Sequence, residues 1–366
     1  MKFNRHPREY QQKTYLKMTR LIANNRLGPI GVDIGSRSVK LLQFTRDHER
    51  VVDASRWDLP YDNSETLSTP PDELSAAIRK ARSGRRFRGK NAVLCLSEDQ
   101  LFLQNIRVPK VDAPEMDRHI RQEIAGRLSF SIAEAEIRYV EAADIRHGDA
   151  VMREVIVMAC HRPVLDNYLG VIEAAGLRPI AVDVEPLALH RSYWKQCRRD
   201  ADRNERVMLV NLGFARTSVV ISQGNDVLFV KYIDVAGRNM DQAVAKHLDM
   251  KLTAATALRR HNGDRRTDQQ DPDIARGVAE ATRPIVEKLL SELSMCFRYH
   301  SVTFRGQSLA RMVLSGGEAN TQLLELLSTR LNLKAEISDP LRAYPLGGDV
   351  GRSSQWDVAA GLALKN

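Results

Sequence analysis

Two short stretches of the chain repeat one arrangement of residues that suits phosphate chemistry. In the first, an apolar strand ends in Asp33 and Gly35, and a short polar turn leads into a second apolar strand that carries Lys40. In the second, an apolar strand ends in Asn211 and Gly213 and the chain turns back in the same way. Turns of this kind expose backbone N–H groups, and concave clusters of N–H dipoles bind phosphate oxygens. The repeat therefore predicts two opposed hairpins that clasp the phosphates of one nucleotide.

Side chains in and beside the turns fit this interpretation. Asp33 can hold Mg²⁺ through water, because this ion prefers carboxylate and water oxygens, and Lys40 can neutralise a phosphate. Later in the chain Gly316 and Gly317 follow a strand, and glycine there lets a base and ribose approach the backbone. No residue is predicted to be catalytic, and Asp33 is the predicted metal ligand. The predicted nucleotide site comprises Asp33, Gly35, Ser36, Ser38, Lys40, Asn211, Gly213, Thr217, Gly316, Gly317 and Glu318.

Each of these sites taken singly has a simpler explanation. A plain hairpin turn would account for Gly213 and Thr217, the start of a helix for the glycine pair, and a solvated strand position for Lys40. Three such sites in this order and spacing favour the nucleotide interpretation. Glu185, at the start of a predicted helix, is interpreted as a structural cap and not as a catalytic group.

The elements that must position these residues form two similar halves. Each half begins with three strands in close succession, which predicts antiparallel hairpins. The six strands are predicted at 29–35, 38–44, 51–59, 207–212, 217–221 and 227–233. Helical patterns follow at 72–81, 114–128, 163–175, 186–194, 240–248, 273–299, 321–331 and 358–364.

Composition narrows the class of protein. A chain of 366 residues exceeds one comfortable hydrophobic core, so two domains are expected. The four cysteines show no CxxC pair and are expected to be buried free thiols in a reducing cytoplasm. No apolar run is long enough to span a bilayer. The net charge is +9, but zinc-finger spacings and aromatic RNA-binding motifs are missing, so nucleic acid is not a predicted partner.

Residues 1–28 differ from the rest of the chain. Basic side chains alternate with tyrosines and aliphatic residues over this stretch. It could form an amphipathic basic helix that contacts a membrane surface or a partner, or it could be an unordered basic leader. The sequence leaves both alternatives open.

These motifs resemble those of the actin, sugar kinase and Hsp70 superfamily, and within it the chain is similar to the PilM family of type IV pilus assembly proteins. Residues 31–42 (GVDIGSRSVKLL) are similar to the PilM opening motif. Residues 120–140 share a second PilM pattern, with serine at 129 where proline is usual. The most specific likeness is residues 169–191 (LGVIEAAGLRPIAVDVEPLALHR). The resemblance covers about residues 29–366.

The resemblance implies an α/β, actin-like (ribonuclease H-like) duplicated fold with two lobes around a nucleotide cleft. The first lobe would be residues 29–200, with subdomain 1A and a 1C-type insertion at about 92–175. The second lobe would be residues 201–366, subdomains 2A and 2B, with a C-terminal segment that returns to the first lobe.

It also implies a function and partners. The cofactors would be ATP and Mg²⁺. The main partner would be the short cytoplasmic tail of a PilN-like inner-membrane protein, bound between subdomains 1A and 1C, alongside other pilus or secretion assembly proteins. The protein would be cytoplasmic and peripherally associated with the inner membrane. Self-association, the particular machine and ATP turnover are left open.

One departure from the family pattern bears on turnover. The second phosphate motif usually carries aspartate, and here it carries Asn211, which has no charge and cannot act as a base. Its loss weakens the case for hydrolysis more than the case for binding. It also argues against the main enzymatic alternative, a superfamily kinase or ATPase. A membrane-associated filament protein similar to FtsA is the other alternative, although residues 361–366 show no amphipathic helix of the kind that ends FtsA.

Overall fold

The computed structural model describes residues 27–60, 69–96, 98–147, 150–197, 202, 204–264, 270–304, 307–344 and 350–365. Nearly all of the N-terminal stretch 1–28 lies outside these residues, so neither expectation for it is tested. The described part of the chain contains no helix that is both long and apolar enough to cross a bilayer.

Two five-stranded sheets with the same topology organise the described residues. The orders are β3-β2-β1-β4-β8 and β11-β10-β9-β12-β13. In both, the first three strands in chain order pair antiparallel and the last two add in parallel. The strands of the first sheet are β1 (Leu27–Ile34), β2 (Ser38–Thr45), β3 (Val51–Asp58), β4 (Asn91–Leu96) and β8 (Arg178–Val184), and those of the second are β9 (Arg206–Leu212), β10 (Thr217–Gln223), β11 (Asp226–Ile233), β12 (Arg311–Ser315) and β13 (Ala335–Ile337). The predicted duplication is therefore a duplication of whole sheets.

A third, smaller sheet is inserted in the first half of the chain. It has the order β5-β7-β6, with β5 (Phe102–Pro109), β6 (Ala135–His147) and β7 (Ala150–His161). It lies inside the stretch of about 92–175 for which the resemblance implies an insertion, while Asn91–Leu96 pairs within the first sheet. One face packs on a helix through an apolar stripe that includes Met116, Ile120 and Ile124, all buried.

The helices cover the sheets. They are α1 (Pro71–Arg82), α2 (Ala113–Ala125), α3 (Arg162–Ala174), α4 (Glu185–Gln196), α5 (Gly237–His247), α6 (Leu252–Asp264), α7 (Pro272–Thr303), α8 (Thr321–Leu331) and α9 (Asp357–Ala363). Helix α6 is absent from the sequence prediction. The four cysteines are free, and three of them are buried as expected, whereas Cys197 is only partly buried.

Two helices join the halves. Helix α4 follows the last strand of the first sheet but packs, through Leu189, on the second sheet. Helix α9 comes at the end of the described chain and packs through Ala359 and Ala363 under the first sheet. They cross so closely that a Cβ at Gly361 would overlap the carbonyl oxygen of Ala188. Each half therefore lends a helix to the other, and the crossing lies directly behind the cleft between them.

Candidate functional site

The two predicted phosphate turns face each other across one cleft. Each is closed by the same bond: the Gly35 N–H donates to the Ser38 carbonyl at 3.0 Å, and the Gly213 N–H donates to the Arg216 carbonyl at 3.1 Å. The guanidinium carbon of Arg37 lies 4.7 Å from the ring centroid of Phe214, so the tips of the turns touch. Strands that end in these turns are paired in register with their partners, which fixes the turns relative to both sheets.

This geometry changes which N–H groups are available. The glycine N–H groups, expected to meet a phosphate, are used to close the turns. The next residues supply the donors: the backbone N–H groups of Ser36 and Ala215 have no acceptor among the described residues. The prediction that each turn presents backbone donors thus gains a specific location, one or two residues beyond the glycine.

The structure brings together every residue of the predicted site except one. Thr217 is completely buried and its hydroxyl donates to the Val235 carbonyl at 2.6 Å, so its side chain points away from the cleft. The predicted residues that line the cleft are Asp33, Gly35, Ser36, Ser38, Lys40, Asn211, Gly213, Gly316, Gly317 and Glu318.

Asp33 and Lys40 form a nearly buried ion pair at the floor of the cleft. The Lys40 Nζ lies 2.6 Å from Asp33 Oδ2, and the two side chains are 12% and 10% exposed. The pair forms because Asp33 and Lys40 are directly opposite in the antiparallel register of β1 and β2. One carboxylate oxygen of Asp33 is thereby fixed, and an ammonium group stands beside it where a phosphate charge would need neutralising.

The second turn has its carboxylate on a different residue from the one that the family pattern suggests. Asn211 donates from Nδ2 to Glu185 Oε1 at 2.5 Å, and the Ser218 hydroxyl donates to the same oxygen at 2.5 Å. An aspartate at position 211 would place two carboxylates in contact, which like-charge repulsion disfavours. The amide at 211 therefore suits a glutamate that reaches across from α4.

The interpretation of Glu185 as a helix cap is wrong. Helix α4 has no side-chain cap, and the Glu185 carboxyl is bonded instead to two residues of the second half. Burial, followed by the charge of Glu98, raises its pKa from 4.5 to about 7. A carboxyl with such a pKa changes its charge near neutrality, beside the second phosphate turn.

The glycine pair after β12 forms the third wall. Gly316 has a φ of 99°, and a Cβ there would overlap the Leu212 carbonyl, so only glycine fits the turn. A Cβ at Gly317 would meet no atom of the described residues within 4 Å, which leaves open space above the backbone among them. Glu318 lies behind them, buried, and pairs with Arg259 at 2.7 Å and with Arg260.

The pairing of Glu318 decides its charge. Burial by itself would raise the pKa of this carboxyl, but the attraction of Arg259 and Arg260 outweighs burial and lowers the pKa below 4.5. Arg259 is also held by Asp241 at 2.5 Å. The network joins α5 and α6 to the glycine turn, and it leaves the ionised Glu318 as an anchor of that wall.

Several side chains in the cleft escaped the sequence analysis. Arg37 and Arg216 could have been found, because each repeated turn contains one arginine. The others come from elements distant in sequence and have no local signal. The additional residues that line the cleft include Arg37, Arg56, Glu98, Arg216, Arg260 and Gln355, together with Glu185, for which the sequence predicted a different role.

A groove of about 430 Å³ lies between the inserted three-stranded sheet and the first five-stranded sheet. Its apolar residues include Met158, Leu165 and Leu187, and charged residues such as Arg138 and Asp183 line it as well. This is the place, between the inserted sheet and the first sheet, where the resemblance implies a peptide partner.

Comparison with known proteins settles the family. Residues 31–366 match the family model described as Type IV pilus assembly protein PilM. The chain belongs to the PilM family. It is thus a type IV pilus assembly protein, and the family predicted from the motifs is confirmed.

Solved structures agree on the fold. The chain is similar to the protein in a structure described as the PilM–PilN type IV pilus biogenesis complex, with 22% identity, a TM-score of 0.72, and coverage of 93% of this chain and 98% of the other. It is also similar to the ethanolamine utilization protein EutJ from Carboxydothermus hydrogenoformans, with 13% identity, a TM-score of 0.55, and coverage of 92% and 89%. The predicted actin-like α/β fold is confirmed.

Replacing Glu185 with glutamine is expected to remove part of the pH dependence of stability. The folded pKa is above the unfolded value, so Glu185 favours the folded state at low pH, and this contribution is lost as the pH rises through about 7. The glutamine variant should match the parent only near pH 4, below the unfolded pKa of 4.5, and its advantage should grow as the pH rises from there to about 7. By pH 8 it should be more stable, by on the order of 2 kcal/mol.

Thermal melting of both proteins from pH 4 to pH 8 measures this difference. Asp357, a second carboxyl among the described residues whose pKa is raised to about 7, is present in both proteins, so its contribution cancels. Parallel stability curves across this range would show that Glu185 does not titrate there.

Proposed function

We propose that this PilM-family protein binds ATP with Mg²⁺ in its cleft and the short cytoplasmic tail of a PilN-like membrane protein in its groove. The observation that carries the nucleotide site is the pair of turns closed by the same type of backbone bond, in contact through Arg37 and Phe214, that open on one cleft. In this role the protein is a scaffold at the cytoplasmic face of the inner membrane, held there by its partner.

The donor set fits a magnesium nucleotide. The Ser36 and Ala215 N–H groups and the ammonium group of Lys40 would meet phosphate oxygens, and Asp33 would hold the ion through water. The open backbone at Gly317 leaves room for the base and ribose. Bound Mg²⁺ would neutralise phosphate charge, while the protein would position the nucleotide and supply hydrogen-bond donors to the phosphate oxygens.

ATP should bind in a Mg²⁺-dependent manner with little or no turnover. Asn211 carries no charge to orient an attacking water, and the Glu185 oxygen nearest it already accepts two hydrogen bonds. Calorimetry on the purified protein with and without Mg²⁺ measures the binding. Phosphate release above a protein-free blank would contradict the expected lack of turnover.

The groove should bind a peptide through its apolar residues. Leu165 lines the groove from α3, and a glutamate there would bury an unpaired charge against a bound chain. Leu165→Glu should therefore weaken the affinity for the cytoplasmic tail of the partner at least about tenfold, or by roughly 1.4 kcal/mol.

Fluorescence anisotropy with a labelled tail peptide measures this affinity. Val151→Glu is the matched control, since Val151 is 46% exposed and does not line the groove. Equal losses in both variants, or no loss in Leu165→Glu, would remove the groove from the proposal without affecting the nucleotide site.

A further inference from the structure

Positive charge is concentrated in one segment of the first half. Residues 79–90 (RKARSGRRFRGK) contain seven basic residues and no acidic one, whereas the whole chain of 366 residues has a net charge of only +9. The segment includes the last turn of α1 and the loop that leads to β4. We call it the basic segment; Lys80, Arg86, Arg88 and Lys90 in it are exposed.

The loop within the basic segment is anchored to the core. Phe87 is only 5% exposed and packs in the core of the first half. The Arg86 N–H donates to the buried Asp53 carboxylate at 2.5 Å. Arg85 pairs with the same carboxylate at 3.7 Å and donates to the Ala54 carbonyl. These contacts fix the backbone that carries the exposed cations, so the cations stay close together. In a solvated loop with no anchor they could move apart.

An exposed tryptophan borders the basic segment. Trp57, on the edge strand β3, is 40% exposed, and Lys80 Nζ lies 5.2 Å from its ring centroid. Tryptophan is enriched where a protein meets the headgroup layer of a membrane, because its ring is apolar and its N–H is polar. A surface that combines exposed cations with such a ring fits an anionic lipid membrane better than it fits a partner that would be bound by charge alone.

The basic N-terminal stretch of the sequence leads into the first sheet beside the basic segment. Gln43 Nε2 donates to the carbonyls of both Gly28, at 2.9 Å, and Arg88, at 2.8 Å. The chain therefore enters the first sheet next to the basic segment. Residues 1–26, which precede this point, contain seven basic residues and one acidic residue.

We propose that the basic segment, with Trp57, is a docking surface for anionic phospholipid headgroups. Each basic residue near such a surface contributes to binding, and the sum depends on ionic strength. This surface is separate from the nucleotide cleft and the peptide groove, so the protein would contact the membrane itself as well as through a membrane-protein partner. Lipid binding does not depend on either proposed ligand.

The test is vesicle flotation with the full chain. Vesicles of phosphatidylcholine with and without phosphatidylglycerol are compared for the parent, for the triple variant Lys80→Glu, Arg86→Glu, Lys90→Glu, and for a charge-matched control. The control reverses three exposed lysines of the second half, through Lys246→Glu, Lys251→Glu and Lys288→Glu. Thermal melting confirms that both variants fold.

The parent and the control are expected to float only with vesicles that contain phosphatidylglycerol, and less as salt is added. The basic-segment variant should bind about 100-fold more weakly, since three basic residues near the surface are each worth roughly a factor of five. Equal binding by the basic-segment variant would overturn the proposal, as would equal losses in both variants or a parent that ignores phosphatidylglycerol. Tighter binding of the parent to a DNA duplex than to the vesicles would also overturn it.

Discussion

Asp33→Ala is expected to weaken Mg²⁺-dependent ATP binding by about 100-fold or more, roughly 2.7 kcal/mol, while the fold is retained. Asp33 is the carboxylate of the first phosphate turn, only 7% exposed, and it orients Lys40 at 2.6 Å. Its loss would remove the group proposed to hold Mg²⁺ and would free the ammonium group that should face the phosphate. The residual affinity should no longer depend on Mg²⁺.

Calorimetric titration with ATP, with and without Mg²⁺, measures both effects. Asp226→Ala is the control, because Asp226 is an exposed carboxylate in the hairpin between β10 and β11, outside the cleft. Circular dichroism and melting establish that each variant is folded. Unchanged affinity in a folded Asp33→Ala protein would remove Asp33 from the site and, with it, the assignment of the first turn to phosphate.

Gly361→Ala is expected to cost the fold about 3 kcal/mol or more, an overpacking effect at the high end of the usual range. Helices α4 and α9 cross at this residue, and a Cβ there would overlap the carbonyl, C and Cα atoms of Ala188. All of these are backbone atoms, so no side chain can move aside and the helices must separate. Separation would also disturb Glu185, at the first turn of α4, so ATP affinity should fall as well.

The control exploits a second helical glycine. Among the described residues no atom lies within 4 Å of a Cβ position at Gly170 in α3, and alanine there should stabilise the protein by roughly 0.5 to 1 kcal/mol through helix propensity. Chemical denaturation measures the free energy of unfolding of each variant. If the crossing is as tight as described, this free energy should fall below that of the parent for Gly361→Ala and rise above it for Gly170→Ala. A Gly361→Ala protein as stable as the parent would show that the helices tolerate a wider spacing.

The duplication could be predicted from the sequence because a hairpin is formed by residues that are close together in the chain. A strand, a turn glycine and a returning strand leave their pattern within about a dozen residues, and this happened twice, around Gly35 and Gly213. The helices that cover the sheets also left helical patterns, and the motifs carried the resemblance from which the fold and the family followed. Site residues that belong to the turns or to the glycine pair were accessible for the same reason.

Other features have no local pattern. Helix α6 was missed because its buried face includes Thr256 and Arg259, and Arg259 is held by bonds to Asp241 and Glu318 and not by an apolar stripe. A buried arginine is recognisable only when its two acidic partners, from other elements, are in place. The same network determines that Glu318 is ionised, which its neighbours in sequence do not indicate.

The sequence by itself therefore determined the two hairpins, the glycine turn, the actin-like fold and the PilM family. Tertiary structure alone decided that Glu185 crosses to Asn211 and that Thr217 faces inward. It also decided that the basic segment lies beside Trp57 and the start of β1. Local backbone geometry is encoded in adjacent residues, whereas the burial and charge of a side chain depend on groups that only the packed chain brings near.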